Sequence, residues 1–216
     1  MGSDDLLRLG RRAPWPRAAL TGPAAEVAPA LLGALLVRVE DDGTETIVRI
    51  VETEAYRQTD PASHSHRGPT PRNAVMFGAP GHAYVYFSYG MHHCMNVSCE
   101  EAGVGAAVLF RAAVAVAGHA HIRGRRGVRH RDRDLLSGPG RLTQALGIDR
   151  GFDGQDLTDP HSRLRLETDG FDPAGRVVAG PRVGIRHAAD VPWRFHLTGV
   201  PEVSRYVRHP KAPRSG

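Results

Sequence analysis

The chain has 216 residues and a mass of 23.4 kDa, enough for one domain with a substantial apolar core or for two small domains. Its formal charge of +5 and its sequence pI of about 9.7 agree with a polyanionic partner. Two cysteines exclude a disulfide framework, and no apolar run reaches the length of a membrane span. Because no apolar leader follows the N-terminal charges, we expect a cytoplasmic protein without a membrane partner.

The N-terminal part of the chain predicts an arm, a helix and a hairpin. Residues 1–20 are charged and contain prolines, which indicates a loose arm. A short helix is expected over 21–32. Residues 35–40 and 46–56 then predict two antiparallel strands, because the Asp-Asp-Gly sequence at 41–43 is typical of a turn.

The second of these strands carries two acids and a tyrosine on one face. Glu52, Glu54 and Tyr56 are spaced two residues apart, so their side chains point the same way. They could form a solvated outer face. Alternatively, one carboxylate lies beside a pocket, where partial loss of water raises the pKa of such a group and suits it to base catalysis.

A long irregular segment follows over 57–80, and such segments inside a domain are usually functional or disordered. It contains His64 and His66, together with Arg72 and Asn73, which suit contacts with a ligand or a phosphate. The histidines lack Glu or Cys partners at the spacing of zinc ligands, so we predict no metal site.

The stretch Ala83–Ser98 predicts a hairpin with two different faces. Tyrosines alternate with apolar residues before a three-residue loop over 88–90, and Gly90 suits the positive φ that ends such a loop. This register places Ala83, Val85, Phe87, Met91 and Met95 on a core face, and Tyr84, Tyr86, Cys94 and Asn96 on the other. An ordinary sheet with surface tyrosines is one interpretation. Tyr89 at the tip favours another, since an exposed aromatic residue there needs something to stack on or insert into.

The rest of the chain predicts an α+β domain. Ala106–Arg111 is typical of a buried strand that ends in an arginine, and residues 119–134 form either a mobile insertion or a phosphate-binding loop. A short helix over 137–147 has N-terminal amides available to a phosphate. Short strands are expected over 164–168, 176–179 and 193–198. We therefore predict one domain over 21–208 and a tail over 209–216.

A series of short motifs runs along the chain in a fixed order. The motifs are IVETEAY at 50–56, ASHS at 62–65, TPRN at 70–73, MF at 76–77, YVY at 84–86, YGM at 89–91, MN at 95–96, VLFRA at 108–112, SGPGRL at 137–142, PRVGI at 181–185 and WRF at 193–195. This ordered set resembles the alkyladenine DNA glycosylase family, whose members are also called methylpurine or 3-methyladenine DNA glycosylases. The resemblance covers about residues 27–200.

The resemblance implies a fold and a reaction. The expected fold is a single α+β domain with a curved antiparallel sheet and a protruding β-hairpin, similar to the C-terminal domain of formyltransferases. The expected enzyme is a monofunctional glycosylase that flips alkylated or deaminated purines, of the 3-methyladenine, 7-methylguanine or hypoxanthine type, out of duplex DNA and hydrolyses the N-glycosidic bond without β-lyase activity. The resemblance also implies a monomer at the nucleoid of a bacterial cytoplasm, with double-stranded DNA as its partner and no cofactor or metal.

The resemblance further assigns roles to residues. Glu54 is the expected general base that activates water, and Arg111 and the backbone carbonyl of Val183 help to hold that water. The residues expected to line the base pocket are Tyr56, His64, Tyr86 and Asn96. Asn96 is expected to reject the amino group of guanine. The residues expected to intercalate are Tyr89, which fills the gap in the duplex, and Met91, which supports it. The residues expected to contact the DNA backbone are Arg72, Asn73 and Arg141.

Two other classes of function compete with a glycosylase. A catalytically silent nucleic-acid-binding module on the same fold would use Tyr89 and the arginines, but it has no use for Glu54 beside Tyr56. A metal-dependent nuclease or deaminase needs a ligand spacing that the sequence lacks. The preferred lesion, a bulky adduct included, stays open at this point, as does the choice between His64 and His66 for stacking on the base.

Overall fold

The computed structural model describes residues 3–88 and 90–213. Over these residues the chain forms one open antiparallel sheet of nine strands with three α-helices, which confirms the predicted α+β class. The strands are β1 (Ala13–Pro14), β2 (Leu35–Val39), β3 (Glu45–Arg57), β4 (Ala83–Ser88), β5 (His92–Ser98), β6 (Ala106–Ala117), β7 (Leu164–Thr168), β8 (Val177–Gly180) and β9 (Arg194–Leu197). The helices are α1 (Ala24–Ala30), α2 (His119–Arg126) and α3 (Pro139–Leu146). None of these three helices is long and apolar enough to cross a membrane.

The sheet is organised around β3. The strand order is β1-β7-β2-β3-β6-β5-β4, while β9 pairs with β3 and with β8. One edge of β3 pairs with β6, and the other edge is shared between β2 at one end and β9 at residues 52–54. Residues 46–55 of β3 are all buried. The central strand therefore passes through the core and carries its two glutamates with it.

The strand β6 is longer than the sequence predicts. It continues to Ala117, so the predicted strand end at Arg111 is wrong. The Ala- and Val-rich residues that follow Arg111 continue the pairing with β3 as far as Ile47. Arg111 consequently lies in the middle of two paired strands instead of at their rim.

The N-terminal residues, predicted to form a loose arm, pack on the sheet. Leu6 and Leu20 are buried in the main apolar core, and β1 pairs with β7. Arg49 of β3, which is fully buried, holds this segment by donating hydrogen bonds to the main-chain oxygens of Leu6 and Arg8. The composition of the arm does not reveal this contact, because the cation that anchors it belongs to another strand.

The arginine-rich segment 119–134 begins with a packed helix. Ile122 of α2 is fully buried, and Arg125 forms an ion pair with Glu40 at 2.5 Å. At α2 the segment is therefore part of the fold and not the solvated insertion that its composition allows.

The hairpin of β4 and β5 forms as predicted, with its loop one residue later along the chain. The pairs are Tyr84 with Asn96, Val85 with Met95, and Tyr86 with Cys94. Directly opposed residues share a face, so the tyrosines lie with Asn96 and Cys94 as expected. Gly90 has the predicted positive φ, at +66°.

The end of the hairpin differs from the prediction. Ser88 pairs with His92, so the loop covers residues 89–91 and Met91 precedes the strand. Phe87 is 50% exposed and Met91 is 69% exposed, so the predicted place of both residues on the core face is wrong. Tyr89 lies outside the described residues.

The buried pair of Arg49 and Asp169 makes the stability of the fold depend on pH. The pKa of Asp169 is lowered from 3.8 to about 2, and the main cause is its hydrogen bonding with Arg49. The stabilisation is therefore complete above about pH 4 and is lost as the pH falls through about 2. We expect Asp169→Asn to lower the free energy of unfolding by about 2 kcal/mol near neutral pH and by less in acid. Urea denaturation at about pH 7 and about pH 3 measures both values.

An exposed ion pair provides the control for this prediction. Arg163 contacts Asp41, whose side chain is 91% exposed. Because exposed pairs contribute little, Asp41→Asn should leave the free energy of unfolding nearly unchanged. A loss for Asp169→Asn that is the same at both pH values would contradict the assigned role of the Asp169 carboxylate.

Candidate active site

The two glutamates of β3 are buried, so the interpretation of their face as a solvated surface is wrong. Glu52 and Glu54 each have 0% of their side-chain surface exposed. The pairing of β3 with β6 shifts on both sides of Glu52, which pairs with Ala112. The first shift leaves Val51 of β3 without a partner, and the second leaves Arg111 of β6 as a bulge residue. A bulge redirects the side chain that it carries. Here the guanidinium of Arg111 contacts both carboxylates.

Glu54 accepts hydrogen bonds from three residues. The amide of Val183 donates to Oε1 at 2.7 Å, and the hydroxyl of Tyr56 donates to Oε2 at 2.8 Å. Nη1 of Arg111 lies 3.3 Å from the same Oε2. The structure thus brings Glu54, Arg111 and Val183 together as expected, with the amide of Val183 as the group that contacts the carboxylate.

Glu52 accepts more hydrogen bonds than Glu54. Its oxygens accept hydrogen bonds from Nε of Arg111 at 3.0 Å, from Nε of Arg194 at 2.6 Å, and from both the amide and the hydroxyl of Ser204. Desolvation acts to raise the pKa of Glu52, but the charges of Arg111 and Arg194 outweigh it and lower that pKa below its ordinary value. Glu52 is therefore an anion at neutral pH, paired with two cations.

A cavity of about 470 Å³ opens in front of this network. The predicted site residues on its wall are Tyr56, His64, Arg72, Tyr86, Asn96, Arg111 and Val183. All three residues that bond to Glu54 are on this wall. Glu54 itself is fully buried and therefore lies directly behind the wall.

Three aromatic rings form one side of the cavity. The rings of His64 and Tyr86 meet edge to face with centroids 4.6 Å apart, and the ring of Tyr84 lies 5.4 Å from that of Tyr86. Nδ1 of His64 is 3.0 Å from the hydroxyl of Tyr84. Desolvation and the nearby charge of Arg72 lower the pKa of His64, so its ring is neutral at pH 7. Neutral rings in these positions suit stacking with a flat heterocycle.

The geometry distinguishes the two neighbouring histidines. His66 does not line the 470 Å³ cavity, and its Nδ1 lies 3.2 Å from the carbonyl oxygen of Gln58. His64 is therefore the histidine placed to contact a ligand in that cavity.

Two arginines lie against the faces of pocket tyrosines. The guanidinium of Arg182 is 4.7 Å from the ring centroid of Tyr56 and 5.3 Å from that of Trp193, and it also contacts Asp60. The guanidinium of Arg72 is 5.6 Å from the ring centroid of Tyr86. The sequence motif contains Arg182, but only the fold shows that it holds Tyr56.

Asn96 is fixed at the cavity wall by its backbone neighbours. It is 4% exposed, and its Nδ2 donates a hydrogen bond to the carbonyl oxygen of Tyr84 at 3.0 Å. This bond sets the orientation of the amide group.

Asn73 does not have the predicted availability for DNA. It is 2% exposed, and its Nδ2 donates to the carbonyl oxygens of His64 and Gly68. Its Oδ1 accepts from the amide and the hydroxyl of Thr70. Because these bonds use both donors of the amide, Asn73 shapes the loop that presents His64 and is wrongly placed among the phosphate contacts.

Arg141 lies in a second, basic cleft. This cleft has a volume of about 380 Å³, and its charged residues are Arg133, Asp134, Arg141 and Arg205. Ser204, which bonds to Glu52, is also on its wall. Three arginines against one aspartate suit a polyanion.

Ser204 is a site residue for which the sequence holds no signal. It lies in an irregular segment after the last strand, 152 residues from Glu52, and no motif marks it. Within residues 3–88 and 90–213, no group of three or more His, Cys, Asp or Glu side chains is arranged to hold a metal ion.

Comparison with known proteins identifies relatives that match most of the chain. The family model described as methylpurine-DNA glycosylase (MPG) matches residues 18–201. A protein of Rhodopseudomonas palustris (strain BisB18) is 53% identical over 192 residues, covering 87% of this chain and 86% of its own length. A protein of Burkholderia orbicola (strain MC0-3) is 48% identical over 201 residues, covering 90% and 93%. A protein of Streptomyces avermitilis is 45% identical over 201 residues, covering 92% and 94%. Each bears the name "Putative 3-methyladenine DNA glycosylase".

The family model covers most of the chain, and it includes both buried glutamates, the aromatic cavity and the bulge at Arg111. The predicted resemblance is thereby confirmed. The chain belongs to the methylpurine-DNA glycosylase family, a family of DNA-repair enzymes that excise alkylated bases.

Proposed function

We propose that this protein flips alkylated or deaminated purines out of double-stranded DNA and hydrolyses their N-glycosidic bond with a water molecule that Glu54 activates. The 3-methyladenine, 7-methylguanine and hypoxanthine types of lesion are the proposed substrates. The single observation that carries the proposal is the buried Glu54, hydrogen-bonded to three residues that form the wall of an aromatic cavity. A silent binding module has no need for an acid in this position.

The position of Glu54 limits where the attacking water can enter. The carboxylate lies behind the wall formed by Tyr56, Arg111 and Val183, so water reaches it between these residues. The carbonyl oxygen of Val183, next to the cavity, is the proposed second contact of this water. A carboxylate there takes a proton from the water as it attacks the sugar carbon, and the purine leaves on the opposite side.

The cavity wall supplies stacking and selection. Tyr56, His64 and Tyr86 are the proposed stacking partners of the extruded base, and Asn96 is the group that rejects the amino group of guanine. Cationic bases bind more favourably between electron-rich rings, because the faces of such rings attract positive charge. Since Arg182 and Arg72 already lie against Tyr56 and Tyr86, this preference is weakened and neutral lesions such as hypoxanthine also fit.

Contacts with duplex DNA are proposed for the end of the hairpin and for the basic cleft. Phe87 and Met91, which precede and follow Tyr89 in the sequence, are 50% and 69% exposed. Tyr89 is the proposed wedge that fills the gap left by the flipped base. Arg141 and Arg72 are the proposed partners of backbone phosphates. The net charge of +5 supports binding to DNA. A monomer at the nucleoid is the proposed form of the protein.

The test of the proposed reaction is base release by the wild type and by Glu54→Gln. Duplex oligonucleotides with 3-methyladenine, 7-methylguanine, hypoxanthine or ethenoadenine are incubated with enzyme, and released bases are separated by chromatography. We expect Glu54→Gln to slow release by about 10²–10⁴-fold with nearly unchanged affinity for DNA, because it removes the base but not the stacking contacts.

Glu101→Gln is the matched control, since Glu101 is exposed and away from the cavity, and it should retain full activity. Loss of release in Glu52→Gln as severe as in Glu54→Gln would show that the base has been assigned to the wrong glutamate. Tight DNA binding without release of any of the four bases would favour the silent binding module.

The proposed enzyme uses water alone as its nucleophile. Glycosylases that also cut the DNA strand form a Schiff base, usually through a lysine, and Lys211 is the only lysine in this sequence. Borohydride should therefore trap no covalent adduct with lesion DNA, and EDTA should leave the rate of release unchanged. A stable trapped adduct would overturn this prediction, with the N-terminal amine as the first suspect.

A change at Tyr89 tests the proposed wedge. If Tyr89 stacks in the gap left by the flipped base, Tyr89→Ser should weaken binding to lesion duplex by about 1–3 kcal/mol. Binding to single-stranded DNA should hardly change, because no base stack is repaired there. Fluorescence anisotropy with both DNA forms measures the difference, and equal losses on the two forms would identify Tyr89 as a general contact instead.

A further inference from the structure

The network behind the cavity contains two residues that the proposed reaction does not use. Glu52 and Ser204 do not line the 470 Å³ cavity. Both nevertheless bond directly to Arg111, which contacts Glu54. Arg111 is therefore the hydrogen-bonded link between these two residues and Glu54.

The contact between Arg111 and Glu54 is weaker than an arginine usually makes with a carboxylate. Arginine and carboxylate commonly form two parallel hydrogen bonds of about 2.7–2.9 Å. Here one nitrogen, Nη1, lies 3.3 Å from Glu54. The other two nitrogens are directed elsewhere, Nε to Glu52 at 3.0 Å and Nη2 to the hydroxyl of Ser204 at 3.2 Å.

Glu52 and Ser204 are themselves held in place. The amide of Ser204 donates to Glu52 at 2.7 Å, and its hydroxyl donates to Glu52 at 2.8 Å. Arg194 bonds to Glu52 and also donates to the carbonyl oxygen of Ser204 at 2.8 Å. Through Ser204, the segment after β9 is thus hydrogen-bonded both to Glu52 of β3 and to Arg111 of β6.

We infer that Glu52 and Ser204 are positioning residues, which hold Arg111 back from a two-bond pair with Glu54 and so keep part of the Glu54 carboxylate free for water. This inference rests on the proposed role of Glu54 as the base. A guanidinium released from Glu52 and Ser204 would turn onto Glu54, occupy its oxygens and block the approach of water.

The charges around Glu54 determine in which direction the pH dependence of the rate should move when Glu52 or Ser204 is replaced. Arg111 contacts Glu54 from β6, and Tyr56 contacts it from β3. Tyr86 of β4 and Cys94 of β5 also interact with the charge of Glu54. Removal of the Glu52 charge eliminates a nearby anion and releases Arg111, and both changes favour the ionised form of Glu54. The acidic limb of the rate profile should therefore move to lower pH, while the plateau rate falls because a more tightly paired carboxylate is a weaker base.

Ser204→Ala is the main test, because it removes the hydroxyl without changing any charge. Single-turnover release is measured against pH on whichever of the four lesion duplexes the wild type cleaves fastest. One hydrogen bond lost from a buried network predicts a plateau rate lower by about 3- to 10-fold, an acidic limb at lower pH and unchanged affinity for DNA. Ser204→Thr, which retains a hydroxyl, should restore the rate and the limb at least in part.

Ser98→Ala is the matched control. The hydroxyl of Ser98 also accepts one hydrogen bond and donates one, from the amide of His82 and to the carbonyl oxygen of Ala79, but it has no contact with Arg111. Its loss should lower the unfolding temperature without moving the pH profile. If Ser204→Ala and Ser98→Ala have similar unfolding temperatures, a change of the pH profile in Ser204→Ala alone reports the positioning of Arg111 and not a loss of stability.

Glu52→Gln is an independent test of the inference, and its effect on the pH profile should exceed that of Ser204→Ala. It should move the acidic limb in the same direction as Ser204→Ala and by more, while retaining more activity than Glu54→Gln. An unmoved limb, or one at higher pH, in either Ser204→Ala or Glu52→Gln would overturn the inference and leave the proposed function intact. Absence of release by the wild type would overturn both.

Discussion

The positive charge of Arg111, shared between two buried carboxylates, is the interaction on which the site depends. Burial of one ion pair is costly unless further hydrogen bonds satisfy the charges. Here those bonds come from Tyr56 of β3, the amide of Val183 between β8 and β9, Arg194 of β9, and Ser204 after β9. The charged groups therefore connect the central strands to the segments that close the cavity.

The pairing of β3 with β6 places Arg111 beside both acids. The strand pairs before and after Glu52 keep one register, in which position 111 lies opposite position 52 and therefore on the face that Glu52 and Glu54 share. The local shift leaves Arg111 without a direct partner, and its guanidinium contacts Glu52 and Glu54 together. The hairpin contributes Tyr84 and Tyr86 to the cavity in front of this pair of strands, and the segment between β8 and β9 contributes Val183.

The aromatic wall is supported by polar contacts on its outer side. Arg182 lies against Tyr56, Arg72 against Tyr86, and Asn73 holds the loop that carries His64. Each ring is thus fixed by a polar residue, of which Arg182 and Asn73 do not line the cavity and Arg72 does. Rings held in advance lose less conformational freedom when a base stacks on them.

The sequence by itself determined the chemistry of the site. The spacing of Glu52, Glu54 and Tyr56, the alternation of the hairpin and Gly90 at its turn are local patterns, and local patterns are visible in a linear chain. The α+β class and the family follow from the same patterns in order. Only the tertiary structure decided which neighbours each residue has. Arg111 as a bulge residue, Asn73 as a loop support, the packed N-terminal segment under Arg49 and the bonds from Ser204 to Glu52 all join residues distant in sequence. Such contacts depend on burial and strand register, which no short stretch of sequence encodes.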